Sequence, residues 1–176
     1  TTEFIDAGSY HMDAAAAVYE ESGLRGCISY STMDEEGLPE SIAMNAGQAV
    51  RETDRLYENW NGRGNLKVYY SLRALNSCSH ELTELAAGHA RERGAMLQAH
   101  MNEYQGEVDG IIAREGMRPY EYLEKMGVLS DRFLGAHSLI LSEEEKEIIR
   151  ERGAKVCHCP FSNCGKAVPD TPDLVE

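Results

Sequence analysis

The chain has 176 residues, 42% of them hydrophobic, and carries a formal charge of −13 from 30 acidic against 17 basic residues. That length and apolar content suit one globular domain with a buried core. So negative a field excludes binding to nucleic acid through phosphate contacts. No apolar run approaches the roughly 20 residues that span a bilayer, and no signal-peptide pattern opens the chain. A soluble, cytoplasmic protein is expected. The chain starts at Thr1 already inside an extended pattern and stops at Glu176 with no closing element in view, so a piece of something longer is also expected.

Apolar runs alternate with helical patterns along the whole length. Residues 1–6 form the first candidate strand, and a helix follows over 13–23, with Asp13 as its N-cap and Gly23 just past its end. Residues 26–30 form the next strand. A loop over 32–37 leads to a long helix over about 39–60, where Ile42, Ala46, Ala49, Val50, Leu56 and Tyr57 approximate one face. Asn61-Gly62-Arg63-Gly64-Asn65 breaks it, and residues 66–72 form a third strand. Ser79 caps a helix running to about Arg93, and a fourth strand spans 96–101. Shorter helices are expected over 107–114 and 119–126, the second with Pro119 in its first turn. A fifth strand covers 133–137. Ser142 and Glu145 form a capping box that opens a helix ending before Gly153, and residues 154–158 form the last strand. Strands separated by helices in this way specify βαβ units and a parallel sheet. A complete eight-unit barrel needs about 250 residues, so the fold expected is α/β, one domain over residues 1–176 with the length for about six parallel βα units.

The cysteines, Cys27, Cys78, Cys157, Cys159 and Cys164, are odd in number and scattered, which does not suggest a disulfide framework. Cys157-His158-Cys159 with Cys164 resembles a zinc cluster at first sight. Adjacent strand positions point to opposite faces, however, and no second cysteine pair completes a tetrahedral set.

The stretch Met96-Leu97-Gln98-Ala99-His100-Met101-Asn102-Glu103 is the one around which the chain is organised. Bounded by Gly94 and Gly106, it is too short for a helix and suits a buried strand. His100 then sits at the C-terminal end of the strand and Glu103 in the loop beyond, at the rim where a β/α barrel does its chemistry. A neutral imidazole there can hold a metal, and a nearby carboxylate can move protons. The same residues also suit a core histidine followed by a solvated loop glutamate.

The segments QAHMNE, LGAHSLILSEEE and RGAKVCHCPFSN, in this order and spacing, resemble the amidohydrolase superfamily. The likeness is to the branch of guanine deaminase, related purine deaminases and the s-triazine chlorohydrolases. TTEFID, GLRGCIS and CSHELTELA fit further elements of the same pattern. The resemblance implies a partial (β/α)8 barrel, an incomplete catalytic domain over residues 1–176, and a metal-dependent hydrolytic deaminase acting on a nucleobase-like or other N-heterocyclic small molecule. His100 would ligate the metal, zinc or iron. Glu103 would shuttle a proton from the metal-activated water to the leaving ammonia, and His137 would orient that water. Asn163 would shape the seventh loop on the substrate side, and Arg73 would meet a heterocycle's oxygen. A surface arginine after a strand fits Arg73 equally well.

The pattern's first strand carries a His-x-His pair and its eighth an aspartate, and neither segment is in this chain. His11-Met12-Asp13 is no substitute, because it follows a strand that matches the family's second. With only His100 of the expected ligands, this chain by itself is expected to be inactive and to bind no metal tightly. Chloride release from an s-triazine-like ring, or a non-catalytic α/β binding module, are the alternatives. Phe4, Ile5 and Val156 lie on strands that would each lack one neighbour, so self-association through open sheet edges is expected.

Overall fold

The computed structural model describes residues 2–165. They form seven strands and seven α-helices, packed as two compact units: residues 2–73 with 77–97, and residues 74–76 with 98–165. Among the described residues no helix is long and apolar enough to cross a membrane.

In the first unit, β1 (Phe4–Ile5), β2 (Gly26–Ile28) and β3 (Leu66–Val68) form a parallel sheet in the order β1-β2-β3, with Phe4 opposite Gly26 and Ile28 opposite Val68. A Cβ at Gly26 would stand 2.3 Å from the Phe4 ring, so any other residue there would push the ring aside. α1 (Met12–Glu21) and α2 (Ala46–Trp60) cover this sheet, burying Met12, Ala16, Leu56 and Trp60 against Ile28, Leu66 and Val68. His11, not Asp13, occupies the N-cap position of α1. Asp13 instead lies in the first turn and binds α2, accepting from Trp60 Nε1 at 2.9 Å and from Arg55 at 2.8 Å.

The long helix expected from residue 39 begins only at Ala46, where Asn45 and Gln48 form a reciprocal capping box. Residues 39–43 make an isolated turn closed by the Pro39 carbonyl. The strand expected over 66–72 is two strands, β3 and β4 (Tyr70–Ala74). Tyr69 N–H still bonds the Ile28 carbonyl, whereas Tyr70 N–H goes to Met96, so the chain changes partner between them. A single 3-10 turn (Leu75–Ser77) follows, and then α3 (His80–Glu92), capped by Ser79 as expected.

β5 (Leu97–Met101), β6 (Phe133–His137) and β7 (Lys155–Cys157) run in that order, and β6 pairs with β7 in parallel, Gly135 opposite Val156. α4 (Gln105–Glu115), α5 (Pro119–Lys125) and α6 (Glu143–Arg152) connect them, α6 opening on the Ser142–Glu145 capping box and closing on left-handed Gly153. A further helix, α7 (Pro160–Gly165), stands where a loop was expected.

β6 is buried throughout, and fully buried Tyr120 meets Phe133 edge-on at 6.2 Å. Gly135 makes this fit possible, since a Cβ there would stand 1.9 Å from the Tyr120 hydroxyl and 2.9 Å from Ser138 Oγ. Gly135→Ala is therefore expected to destabilise the fold by roughly 1–3 kcal/mol, the usual cost of overpacking. Chemical denaturation of the variant against the parent checks this.

Candidate functional site

β5 and β6 end at the same rim. Their C-terminal histidines, His100 and His137, face each other with ring centroids 5.5 Å apart at 30°. Each strand leaves through backbone that L-residues seldom adopt. Among the described residues, the non-glycine residues at positive φ are Asn102 (48°), His137 (70°) and Ser138 (50°). Such conformations persist only where surrounding contacts fix them, and they concentrate at functional sites. The contacts are present here. Ser138 N–H donates to the Met101 carbonyl at 2.8 Å, and the N–H groups of Leu139 and Ile140 both donate to the Asn102 carbonyl at 3.2 Å. The two loops are thus stitched together at their first residues.

His137 is buried, and its Nε2 lies 3.3 Å from Glu103 Oε1. Its other nitrogen meets Asn163, buried on α7. The Asn163 amide is satisfied when its NH2 faces His137 Nδ1 at 2.8 Å and the Cys159 carbonyl at 3.3 Å, with its oxygen toward His158 Nδ1 at 2.7 Å. The opposite orientation sets oxygen against the Cys159 carbonyl. In the satisfied orientation Nδ1 of His137 accepts, so the neutral ring carries its proton on Nε2, the nitrogen beside Glu103. A carboxylate and an imidazole N–H, both within reach of one point at the rim, can hold a water molecule and pass its proton on.

Four residues marked in the sequence, His100, Glu103, His137 and Asn163, are therefore brought together in the second unit. Arg73 is exposed at the close of the first unit, its backbone N–H bonded to the Thr32 carbonyl at 2.9 Å.

Beneath the rim lie acids that sequence reasoning did not single out. Glu107 is buried and accepts the backbone N–H groups of Asn102 (3.2 Å) and Glu103 (2.9 Å). Burial pushes its carboxyl up to about 7, against the lowering effect of those two N–H donors. Glu145, fully buried, accepts from the Asn102 side chain at 3.0 Å and from Arg118 Nε at 2.8 Å. In the sequence Glu107 was indistinguishable from a solvated first-turn acid, and Glu145 showed only as half of a capping box.

Among the described residues, no group of three or more His, Cys, Asp or Glu side chains is placed to hold a metal ion. Catalytic zinc ordinarily takes three protein ligands, so the donors described fit a share of a metal site, one imidazole at His100, and not a whole one.

The sequence matches the amidohydrolase family over residues 1–175. The chain belongs to the amidohydrolase family. Among relatives of this amidohydrolase, 5'-deoxyadenosine deaminase of Methanopyrus kandleri is 34% identical over 173 residues, covering 95% of this chain and 38% of the relative. 5-Methylthioadenosine/S-adenosylhomocysteine deaminase 2 of Archaeoglobus fulgidus is 33% identical over 158 residues, covering 87% of this chain and 36% of the relative. In three dimensions it resembles a zinc-bound adenosine deaminase from Xanthomonas campestris, with a TM-score of 0.88 and 25% identity, covering 98% of this chain and 38% of that one. The fold is accordingly α/β, part of a (β/α)8 barrel. This amidohydrolase chain spans well under half the length of each of these relatives.

Proposed function

We propose that the whole protein is a hydrolytic deaminase of a nucleobase-like small molecule, and that this chain supplies the proton-transfer side of its active site. The observation that carries the reading is the Glu103–His137 pair, 3.3 Å apart at the rim beside His100. Water adds its oxygen to the ring carbon that bears the amino group, the carbon–nitrogen bond breaks, and ammonia leaves. Glu103 takes the proton that the water loses and delivers it to the departing nitrogen. His137, with its proton on Nε2, holds the water's oxygen in line. His100 would give one imidazole to a zinc or iron ion, which when bound supplies the lowered pKa of its water. The remaining ligands would have to come from outside the described residues.

The named activities of the relatives favour ammonia as the leaving group. The whole protein is therefore expected to release ammonia from 5'-deoxyadenosine or 5-methylthioadenosine, and no chloride from a chloro-s-triazine. Chloride release from the triazine, with none of the purine nucleosides deaminated, would overturn the reading. Self-association belongs to the same proposal: among the described residues β1 pairs only with β2, and β7 only with β6.

A further inference from the structure

We infer that Glu107 is a positioning residue for Glu103, holding the proton-transfer carboxylate through the backbone of the loop that carries it. This rests on the reading of Glu103 given above.

β5 ends at Met101, and Asn102 turns the chain with φ 48°. That turn aims two successive N–H groups, of Asn102 and Glu103, at one place. Consecutive backbone N–H groups converging in this way form a concave anion site. Here the anion is internal. The two oxygens of Glu107, in the first turn of α4, take one N–H each. Asn102 is 0% exposed and Glu107 is 1% exposed, so water does not substitute for either partner.

The rest of Asn102 is fixed as well. Its carbonyl takes the N–H groups of Leu139 and Ile140, and its amide donates to the Ile140 carbonyl at 2.9 Å and to Glu145. The loop bearing Glu103 is thus tied to the loop that follows His137, and the 3.3 Å approach of the two side chains depends on both. Glu107 grips the N–H of Glu103 itself, at 2.9 Å. A buried carboxylate is a costly choice of acceptor, and its carboxyl is raised accordingly. A carboxylate, of Glu or Asp, is the side-chain end that accepts two N–H groups at once with both of its terminal atoms.

Glu107→Gln keeps the shape but turns an NH2 toward one of the two N–H groups. In the whole protein kcat is expected to fall roughly 10- to 100-fold, as when a reacting group is misplaced by about 1 Å. KM, metal content and the unfolding midpoint should change little, since the substitution also removes a buried charge.

The decisive comparison is the double variant. If Glu107 acts through Glu103, Glu107→Gln should have almost no further effect in a Glu103→Gln background. Full multiplicative loss in the double variant, or an unchanged kcat in the single one, would overturn the inference while leaving Glu103's role intact. An active Glu103→Gln enzyme would instead overturn the role of Glu103. Should Glu107→Gln not fold, Glu107→Asp carries the same test, because it keeps the charge and withdraws the carboxylate by one methylene.

Discussion

In the whole protein, Glu103→Gln is expected to lower turnover by at least about 10²-fold, the usual contribution of a general acid–base. The substitution leaves the side chain's length and its place beside His137 Nε2 almost unchanged, since an amide oxygen still accepts from that N–H. It removes the ability to take a proton from water and return it. Metal content, measured after extensive dialysis, should stay that of the parent, because the carboxylate is engaged with His137 and its loop is anchored by Glu107. Steady-state ammonia release and metal analysis on the same preparation separate the outcomes. Loss of metal together with activity would mean that Glu103 is a ligand, and the proton-transfer assignment would fall.

The legible part of this molecule was the part that has a local signature. β6 matches its expected bounds, and α3 and α6 open at Ser79 and Ser142 as expected, because a capping serine followed by a periodic run declares itself within a few residues. His100 and Glu103 stood out at the end of a short apolar run and His137 came from the family resemblance, and the rim they share follows from neighbouring sequential strands. The failures have two causes, one in contacts distant along the chain and one in competing local caps. The break at Tyr69 arises from a change of backbone partner, from Ile28 to Met96, that no periodicity encodes. α2 starts late because Asn45 offers a reciprocal box with Gln48, whereas Pro39 offers only a compatible φ.

The support under the site was invisible for a related reason. Glu107 and Glu145 are charged residues near helix starts, where carboxylates usually face water and the helix dipole. Only the folded chain shows that both point inward. The positive-φ run His137-Ser138 was equally hidden, since neither residue type announces a left-handed turn as glycine does. That strain has a recognisable origin: Ser138 Oγ is held 2.7 Å from the Tyr120 hydroxyl, in the space that Gly135 leaves open.

The largest loss of stability is expected at Glu145. This carboxylate is 0% exposed and joins parts of the chain that are far apart in sequence. It accepts Arg118 Nε at 2.8 Å, Tyr120 N–H at the start of α5 at 3.1 Å, Ser142 N–H at the α6 cap at 3.1 Å, and the Asn102 amide at 3.0 Å. Glu145→Ala leaves a guanidinium without its buried counter-charge and strands several inward-facing donors. Breaking such a pair by removing one partner costs about 3–5 kcal/mol, a large share of the ~5–15 kcal/mol that holds a domain together. Glu145→Gln should cost less than Glu145→Ala, since its oxygen can still accept some of these donors, but its NH2 then confronts Arg118 or a backbone N–H. The order expected in urea midpoints is therefore parent, then Gln, then Ala, with Arg118→Met in the Glu145→Gln background recovering part of the loss by removing the unpaired cation. If Glu145→Ala unfolded at the parent's midpoint, the carboxylate would not be the tie between α5, α6 and the Asn102 turn, and the rigidity ascribed to the Glu103 loop would need another source.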